Sequence, residues 1–241
     1  MHIDVLTLFP EMISCSLEFS ILRRAQDKGL IVVNPINIRD FSENKHRTVD
    51  DYPYGGGPGM ILQAGPIVKA VESISGQPRI ILFSPQGRKL SHSYAQELAL
   101  TNHLLLICAH YEGFDERVRD LLKPEELSIG DYILTGGELP ALVLIDAVTR
   151  LLPGTLGETA GGEHESFYDG LLEFPQYTRP QHFRHLSVPS ILLSGNHAAI
   201  RSWRRRESLR RTKMRRPDLL NSANLSASDI QILEELASNP E

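Results

Sequence analysis

Two short stretches, Ile80-Ile81-Leu82-Phe83 and Leu104-Leu105-Leu106-Ile107, are apolar at every position. A strand with one face in water alternates polar and apolar residues; an unbroken apolar run fits a strand covered on both faces. Such strands belong to parallel sheets sandwiched by helices, and the remaining pattern agrees. Strands are expected at His2–Leu8, Ile31–Ile38, Arg79–Ser84, His103–Ala109 and Ser128–Leu134. Helical periodicity falls between them, over Met12–Lys28 with Gly29 as the stop, Pro66–Ser75, Ser91–Thr101 and Leu139–Leu152 with Pro153-Gly154 as the stop. Strands alternating with helices read as an α/β fold built on a largely parallel sheet.

From Thr155 to about Tyr168 this character is lost. Gly157-Glu158-Thr159-Ala160-Gly161-Gly162-Glu163-His164-Glu165 has no apolar period and reads as a linker. Beyond it, Ser187–Glu241 reads as helices only, one over Asn196–Lys213 and one over Ser226–Leu236. The expected plan is an α/β domain over 1–156, a flexible linker over 157–172 and a small all-helical domain over 173–241.

Charge is divided unevenly along this plan. The whole chain carries −5, yet Arg201–Arg216 holds eight Arg and Lys213 against the single acid Glu207, a local balance of +8 that leaves −13 for the rest. A basic stripe on an acidic protein suits a localised polyanion. Guanidinium forks bind phosphate bidentately and stack on bases, so the Arg bias and Trp203 point to nucleic acid, with Arg204, Arg205 and Arg210 as contacts. No apolar run approaches the ~18–20 residues of a membrane span, and no secretory signal opens the chain, so a cytoplasmic protein is expected. Cys15 and Cys108 lie among apolar residues and read as buried free thiols.

Three Gly- and Pro-rich segments stand where strands end. Asp50-Asp51-Tyr52-Pro53-Tyr54-Gly55-Gly56-Gly57-Pro58-Gly59-Met60 frees its backbone for a close approach but lacks the Gly-Lys-Ser/Thr of a phosphate loop. Ala109-His110-Tyr111-Glu112-Gly113-Phe114-Asp115-Glu116-Arg117 follows the second apolar run. Ser128-Ile129-Gly130-Asp131-Tyr132-Ile133-Leu134-Thr135-Gly136-Gly137-Glu138-Leu139-Pro140 turns through Gly-Gly into a helix. Open parallel sheets bind ligands at such strand ends, and these loops suit an adenosine. No Gly-x-Gly-x-x-Gly opens a strand–helix unit and no Gly-x-Ser-x-Gly elbow occurs. The nine His are scattered without zinc spacing, so no metal site is expected.

Together with His46-Arg47-Thr48-Val49, Tyr177-Thr178-Arg179-Pro180 and Arg215-Arg216-Pro217, these segments closely resemble the bacterial tRNA (guanine-N1)-methyltransferases, in order and over nearly the whole chain. The resemblance implies a SPOUT fold, a parallel α/β sheet whose C-terminal part forms a deep trefoil knot, in an obligate homodimer. It implies S-adenosylmethionine as methyl donor and, as substrate, guanine-37 of tRNA, immediately 3′ of the anticodon, reached through the anticodon stem-loop. Carried over, the donor pocket is Leu82, Phe83, Ser84, Pro85, Ala109, Tyr111, Glu112, Gly113, Ser128, Ile129, Gly130, Asp131, Tyr132, Ile133, Leu134, Gly136, Gly137 and Pro140. Two positions depart from the family. Ala109 stands where Gly is usual, and Glu165-Ser166-Phe167 replaces an Asp-Ser-Phe run that carries the general base.

The chemistry asks for a carboxylate to take the N1 proton as the methyl arrives, and a cation to stabilise charge at O6. The resemblance assigns these to Glu165 and Arg150, with Asp169 as the second candidate base. Glu112 is expected to position the guanine, Tyr111 to flank its ring, and His46, Arg47 and Asp50 to contact RNA. Rival readings are a knotted ribose 2′-O-methyltransferase, which activates a hydroxyl, and a non-catalytic RNA-binding protein, which would not bind the methyl donor.

Overall fold

The computed structural model describes residues 1–156 and 165–238. The chain divides into two compact units, Met1–Ala160 and Gly161–Glu241. Among the described residues no helix is long and apolar enough to cross a membrane.

The first unit is built on a five-stranded, fully parallel sheet. Its strands are β1 (His2–Thr7), β2 (Val32–Asn37), β5 (Arg79–Lys89), β6 (His103–Ile107) and β7 (Glu125–Ser128), in the order β2-β1-β6-β5-β7. A two-residue antiparallel pair, β3 (Asp50–Asp51) and β4 (Ile61–Leu62), clamps the base of the first glycine loop. Helices are α1 (Pro10–Ser16), α2 (Ser20–Asp27), α3 (Ala64–Glu72), α4 (His92–Ala99), α5 (Arg117–Leu122) and α6 (Glu138–Leu151).

Side chains alternate across the strands and fill two cores. Ile3, Val5, Leu104, Leu106, Ile81 and Phe83 pack with Tyr94, Leu98, Leu144 and Val148 on one face. Leu6, Leu105, Ile107 and Leu82 pack with Ile67, Ala70 and Val118 on the other. This double burial is why the two apolar runs show no alternation. Each buried Leu or Ile contributes about 1.5–3 kcal/mol relative to exposure.

Four local expectations need correction. The helix expected over Met12–Lys28 is two helices: α1 closes at Ser16, Phe19 is extended at φ −122° and ψ 151°, and α2 starts afresh at Ser20 with φ 53°. Its C-terminal stop is as expected: Gly29 at φ 68° places its N–H on the Gln26 carbonyl and Leu30 N–H on that of Ala25. The strand expected over Ser128–Leu134 lies earlier, at Glu125–Ser128. Gly130 turns away at φ 156°, and Ile133 stays 79% exposed, so the Tyr-Ile-Leu run is loop wall and not sheet. Helix α5, between the second loop and β7, went unanticipated. Finally, Cys108 is buried as expected, but Cys15 is exposed on α1.

The second unit holds a short antiparallel pair, β8 (His182–Phe183) and β9 (Leu186–Ser187), and two helices, α7 (His197–Arg215) and α8 (Ala227–Ser238). Asn196 caps α7 by accepting the Ala199 N–H at 3.1 Å. Ser187–Glu241 is therefore not helix alone, since β9 and two 3-10 turns enter it. Of the expected linker, 157–164 lie outside the described residues, whereas 165–172 are fastened to α7. Leu171 is buried, Leu172 N–H donates to Thr212 Oγ1 at 2.9 Å, and Ser208 Oγ donates to the Leu172 carbonyl at 2.5 Å.

Candidate active site

A cleft of about 310 Å³ opens at the C-terminal ends of β6 and β7 and beside the mid-strand irregularity of β5, the edge where parallel sheets place ligands. Phe83, Ser84 and Pro85 line it from within β5, where the pairing with β7 shifts register between Phe83 and Arg88. Ala109 to Gly113 follow β6, while Leu127 to Gly130, Tyr132 to Gly137 and Pro140 supply the far wall. Of the eighteen residues carried over for the donor pocket, sixteen line this cleft. Leu82 does not; it is fully buried in the sheet core. Neither does Asp131, whose carboxylate accepts a bond from Lys89 Nζ at 2.7 Å.

Close backbone contact shapes the cleft floor. Gly137 N–H donates to the Ala109 carbonyl at 2.8 Å, and His110 and Gly136 form an isolated bridge, so the segment after β7 lies against the loop after β6. A Cβ on Gly137 would stand 2.6 Å from Cys108 Cα. Tyr111 sits at φ 59°, a left-handed conformation that costs a bulky residue on the order of 1–3 kcal/mol and collects at ligand sites. Glu112 is exposed; its N–H donates to the Met60 carbonyl at 3.0 Å, and its carboxylate lies so close to Gly59 that a Cβ there would meet Oε1 at 2.6 Å. The first glycine loop thus packs on the second.

Beneath the floor is a polar cluster the sequence did not announce. Glu138, 2% exposed at the start of α6, accepts a bond from Thr7 Oγ1 at 2.7 Å, and its other oxygen lies 3.8 Å from His110 Nδ1. That nitrogen is buried without a hydrogen bond. His110, Leu127 and Thr135 complete the cleft and were missed, although each stands next in sequence to a residue that was named.

The remaining candidates are distributed as follows. Arg150 is exposed in the last turn of α6. His46 is exposed, Arg47 pairs with Asp40 at 3.2 Å, and Asp50 is half-buried in β3. In the second unit a cleft of about 330 Å³ gathers both candidate bases, Glu165 and Asp169, with Arg201, Arg204 and Arg205.

The basic helix is less open than its sequence suggests. Arg205 donates through Nε and Nη2 to both oxygens of Asp229, at 2.8 and 2.9 Å, and also pairs with Asp169. Arg210 pairs with Glu207, Arg206 with Glu235 and Arg216 with Asp218. Arg204 lies over the Phe174 ring at 4.7 Å. Among the described residues, Arg201, Arg211 and Arg215 form no ion pair. Of the three arginines expected to contact RNA, Arg205 and Arg210 are thus already engaged within the unit.

The Arg205–Asp229 pair is a structural clamp. Asp229 is 3% exposed. The Arg205 guanidinium, with help from Ser226, outweighs burial and holds its carboxyl well below the usual carboxylate range. Arg205→Ala strands a buried carboxylate, and we expect a loss of about 3 kcal/mol in this unit by chemical denaturation. A depressed carboxylate stabilises fully above its unfolded pKa and loses that contribution as pH falls through the folded value. The difference between wild type and Arg205→Ala should therefore be constant well above the Asp229 pKa of the folded variant, which burial without its partner raises, and shrink as pH falls through that value toward the depressed one of the wild type.

Comparison with known proteins decides the family. Residues 1–222 match the family described as tRNA (Guanine-1)-methyltransferase TrmD. The chain belongs to this family. A tRNA (guanine-N(1)-)-methyltransferase of Moorella thermoacetica is 57% identical over 242 residues, covering 98% of this chain and 97% of the relative. Those of Geobacillus kaustophilus and Staphylococcus epidermidis are 57% and 56% identical, covering 98% and 97% of this chain and 98% and 96% of theirs. The tRNA (guanine-N1)-methyltransferase family carries the α/β SPOUT fold, and the parallel sheet with helices on both faces agrees with it.

Proposed function

We propose that this protein transfers the methyl group of S-adenosylmethionine to N1 of guanine-37 in tRNA, immediately 3′ of the anticodon, and works as a homodimer with a trefoil-knotted donor site. The observation that carries this reading is the strand-end cleft whose walls are those named by the family motifs. Leu127, Ile133, Leu134 and Pro140 supply apolar faces for an adenine, and the Gly113, Gly130 and Gly136-Gly137 turns supply bare backbone for its polar edge and ribose. Such a lining fits the cofactor. The return of the 129–137 segment onto the loop after β6 supports the knot, a topology otherwise nearly absent from proteins.

S-adenosylmethionine brings a sulfonium-bound methyl that is already electrophilic, so the protein's task lies on the guanine. Neutral guanine holds a proton on N1 at pH 7, and the family resemblance gives Glu165 the task of removing it. As that proton leaves, negative charge grows toward O6, where Arg150 acts as a fixed cation. Glu112 accepts from the guanine's donor edge and Tyr111 covers its ring. Asp169 is the second candidate base, but one of its oxygens already faces Arg205, and taking up the proton would disturb that contact.

The test is methylation of tRNA transcripts carrying guanine or another base at the target position, followed by nucleoside digestion. N1-methylguanosine formed only from the guanine transcript is expected. A 2′-O-methylated product, or none with cofactor bound, would overturn the reading.

For RNA, the ion-pair pattern shifts the proposed phosphate contacts from Arg205 and Arg210 to Arg201, Arg211 and Arg215. Replacing Arg201 and Arg215 by Ala should leave the fold intact. It should also reduce the slope of log K against log salt by about one for each phosphate no longer neutralised. Fluorescence titration with tRNA at several salt concentrations measures it, and an unchanged slope would return these residues to a merely solvated face.

A further inference from the structure

At the opposite end of the sheet from the cleft, three adjacent parallel strands begin with an unusual set of side chains. His2 and Asp4 lie two apart on β1 and so share a face. In register, His103 on β6 stands beside His2, and Asn34 on β2 beside Asp4. Their neighbours on that face, Leu6, Leu105 and Ile107, are fully buried and apolar. Asp4 is therefore an acid at the rim of a core, 3% exposed. A buried carboxylate demands partners.

Its partners converge on it. His103 Nε2 lies 2.7 Å from Oδ2, and His2 Nε2 lies 3.2 Å from Oδ1, which also accepts the Asn34 amide at 2.9 Å. The imidazoles meet edge to face with centroids 4.8 Å apart. Burial alone would raise the Asp4 pKa, but the bonds from His103, Asn34 and His2 outweigh it, and the carboxyl is held below its ordinary range. An anionic oxygen and two imidazole nitrogens thus face one another, all within 4.8 Å.

We propose that His2, Asp4 and His103 form a binding site for a borderline divalent transition-metal ion of the Zn²⁺ class. Two nitrogens and one carboxylate oxygen are the donor set of three-ligand zinc centres, in which water takes the fourth position. The same set disfavours Mg²⁺ and Ca²⁺, which select oxygen cages. Tetrahedral coordination at ~2.0–2.1 Å sets donors about 3.3 Å apart. The two nitrogen–oxygen spacings, 2.7 Å to Oδ2 and 3.2 Å to Oδ1, lie at or somewhat below that value, and the three donors span no more than 4.8 Å, so the rings must turn about the carboxylate to bring all three donors onto one ion. His2 supplies the remaining adjustment: its side chain is 43% exposed at the first position of its strand, against 22% for His103 and 4% for Asp4. On metal binding each neutral ring shifts its proton from Nε2, where it is donated to Asp4, to Nδ1, and the freed Nε2 lone pair binds the ion in place of that hydrogen bond. The site is remote from the donor cleft and acts on the sheet's stability, tying β1 to β6 across 99 residues of sequence.

The experiment uses full-length, untagged protein stripped with a chelator and titrated with Co²⁺. The expected result is one ion per chain with the intense visible absorption of tetrahedral cobalt, lost on adding Zn²⁺, together with a Zn²⁺-dependent rise in Tm. His2→Gln and His103→Gln replace partly exposed rings and should stay folded by circular dichroism. Each should weaken binding on the order of 10²-fold, at least the effect of losing a supporting outer-shell partner. No tetrahedral absorption in the wild type, or absorption unchanged in both variants, would overturn the proposal and leave the cluster as a hydrogen-bonded rim.

Discussion

Glu165→Gln is expected to reduce methyl transfer by about 10²–10⁴-fold while leaving cofactor affinity unchanged, the range attributed to one positioned general base. The amide keeps the shape of the carboxylate and its capacity to accept a hydrogen bond, but it takes up no proton at neutral pH. Glu165→Asp retains the carboxylate on a shorter stem and should keep much more activity than the amide. The comparison that decides the matter is Asp169→Asn. Asp169 pairs with Arg205 and also accepts the Leu171 N–H at 3.3 Å, so its amide variant is expected to loosen the second unit and must be measured beside a thermal melt. If Asp169→Asn abolishes single-turnover methylation with its Tm intact, while Glu165→Gln stays active, the base is Asp169 and the Glu165 assignment fails.

How far the sequence alone reaches can be judged from particular residues. Runs 80–83 and 104–107 announced a doubly covered sheet because their surroundings on both faces are apolar, which composition records directly. Local periodicity does not record backbone conformation, so the break at Ser20 was invisible. The run Tyr132-Ile133-Leu134 carries strand-forming side chains, yet it serves as a cleft wall whose exposure no local pattern reveals. The cleft itself was legible because its glycines and aromatics stand at strand ends, and it became residue-specific only through the family motifs. Long-range pairing was lost altogether. Nothing near Arg205 says that Asp229 claims it, and nothing near His2 says that His103 stands beside it. A net charge counts such arginines as free; a folded chain does not.

Gly137→Ala should abolish cofactor binding, although it adds a single methyl group. Gly137 precedes α6 with φ −84°, a backbone any residue adopts, so its requirement for glycine is spatial and not conformational. The added Cβ would lie 2.6 Å from Cys108 Cα, 2.8 Å from Ala109 N and 3.0 Å from Cys108 Cβ. Two of these are backbone atoms at the end of β6, where Cys108 is fully buried and cannot withdraw. Helix α6 cannot withdraw freely either, because Ala141, Leu144, Ile145 and Val148 anchor it in the core. Relief must come from parting the Gly137–Ala109 hydrogen bond, which draws the two cleft walls away from each other. Overpacking of this kind costs typically 1–3 kcal/mol, so the protein should remain folded with a lowered Tm while its donor cleft is spoiled. Gly65→Ala is the control: it lies within α3 with nothing inside 4 Å of the new Cβ, and alanine there should be neutral or stabilise by up to ~1 kcal/mol. Calorimetry with S-adenosylmethionine on both variants reads the difference. Wild-type affinity in Gly137→Ala would mean that the floor of the cleft does not hold the cofactor, and the donor site would have to be sought elsewhere.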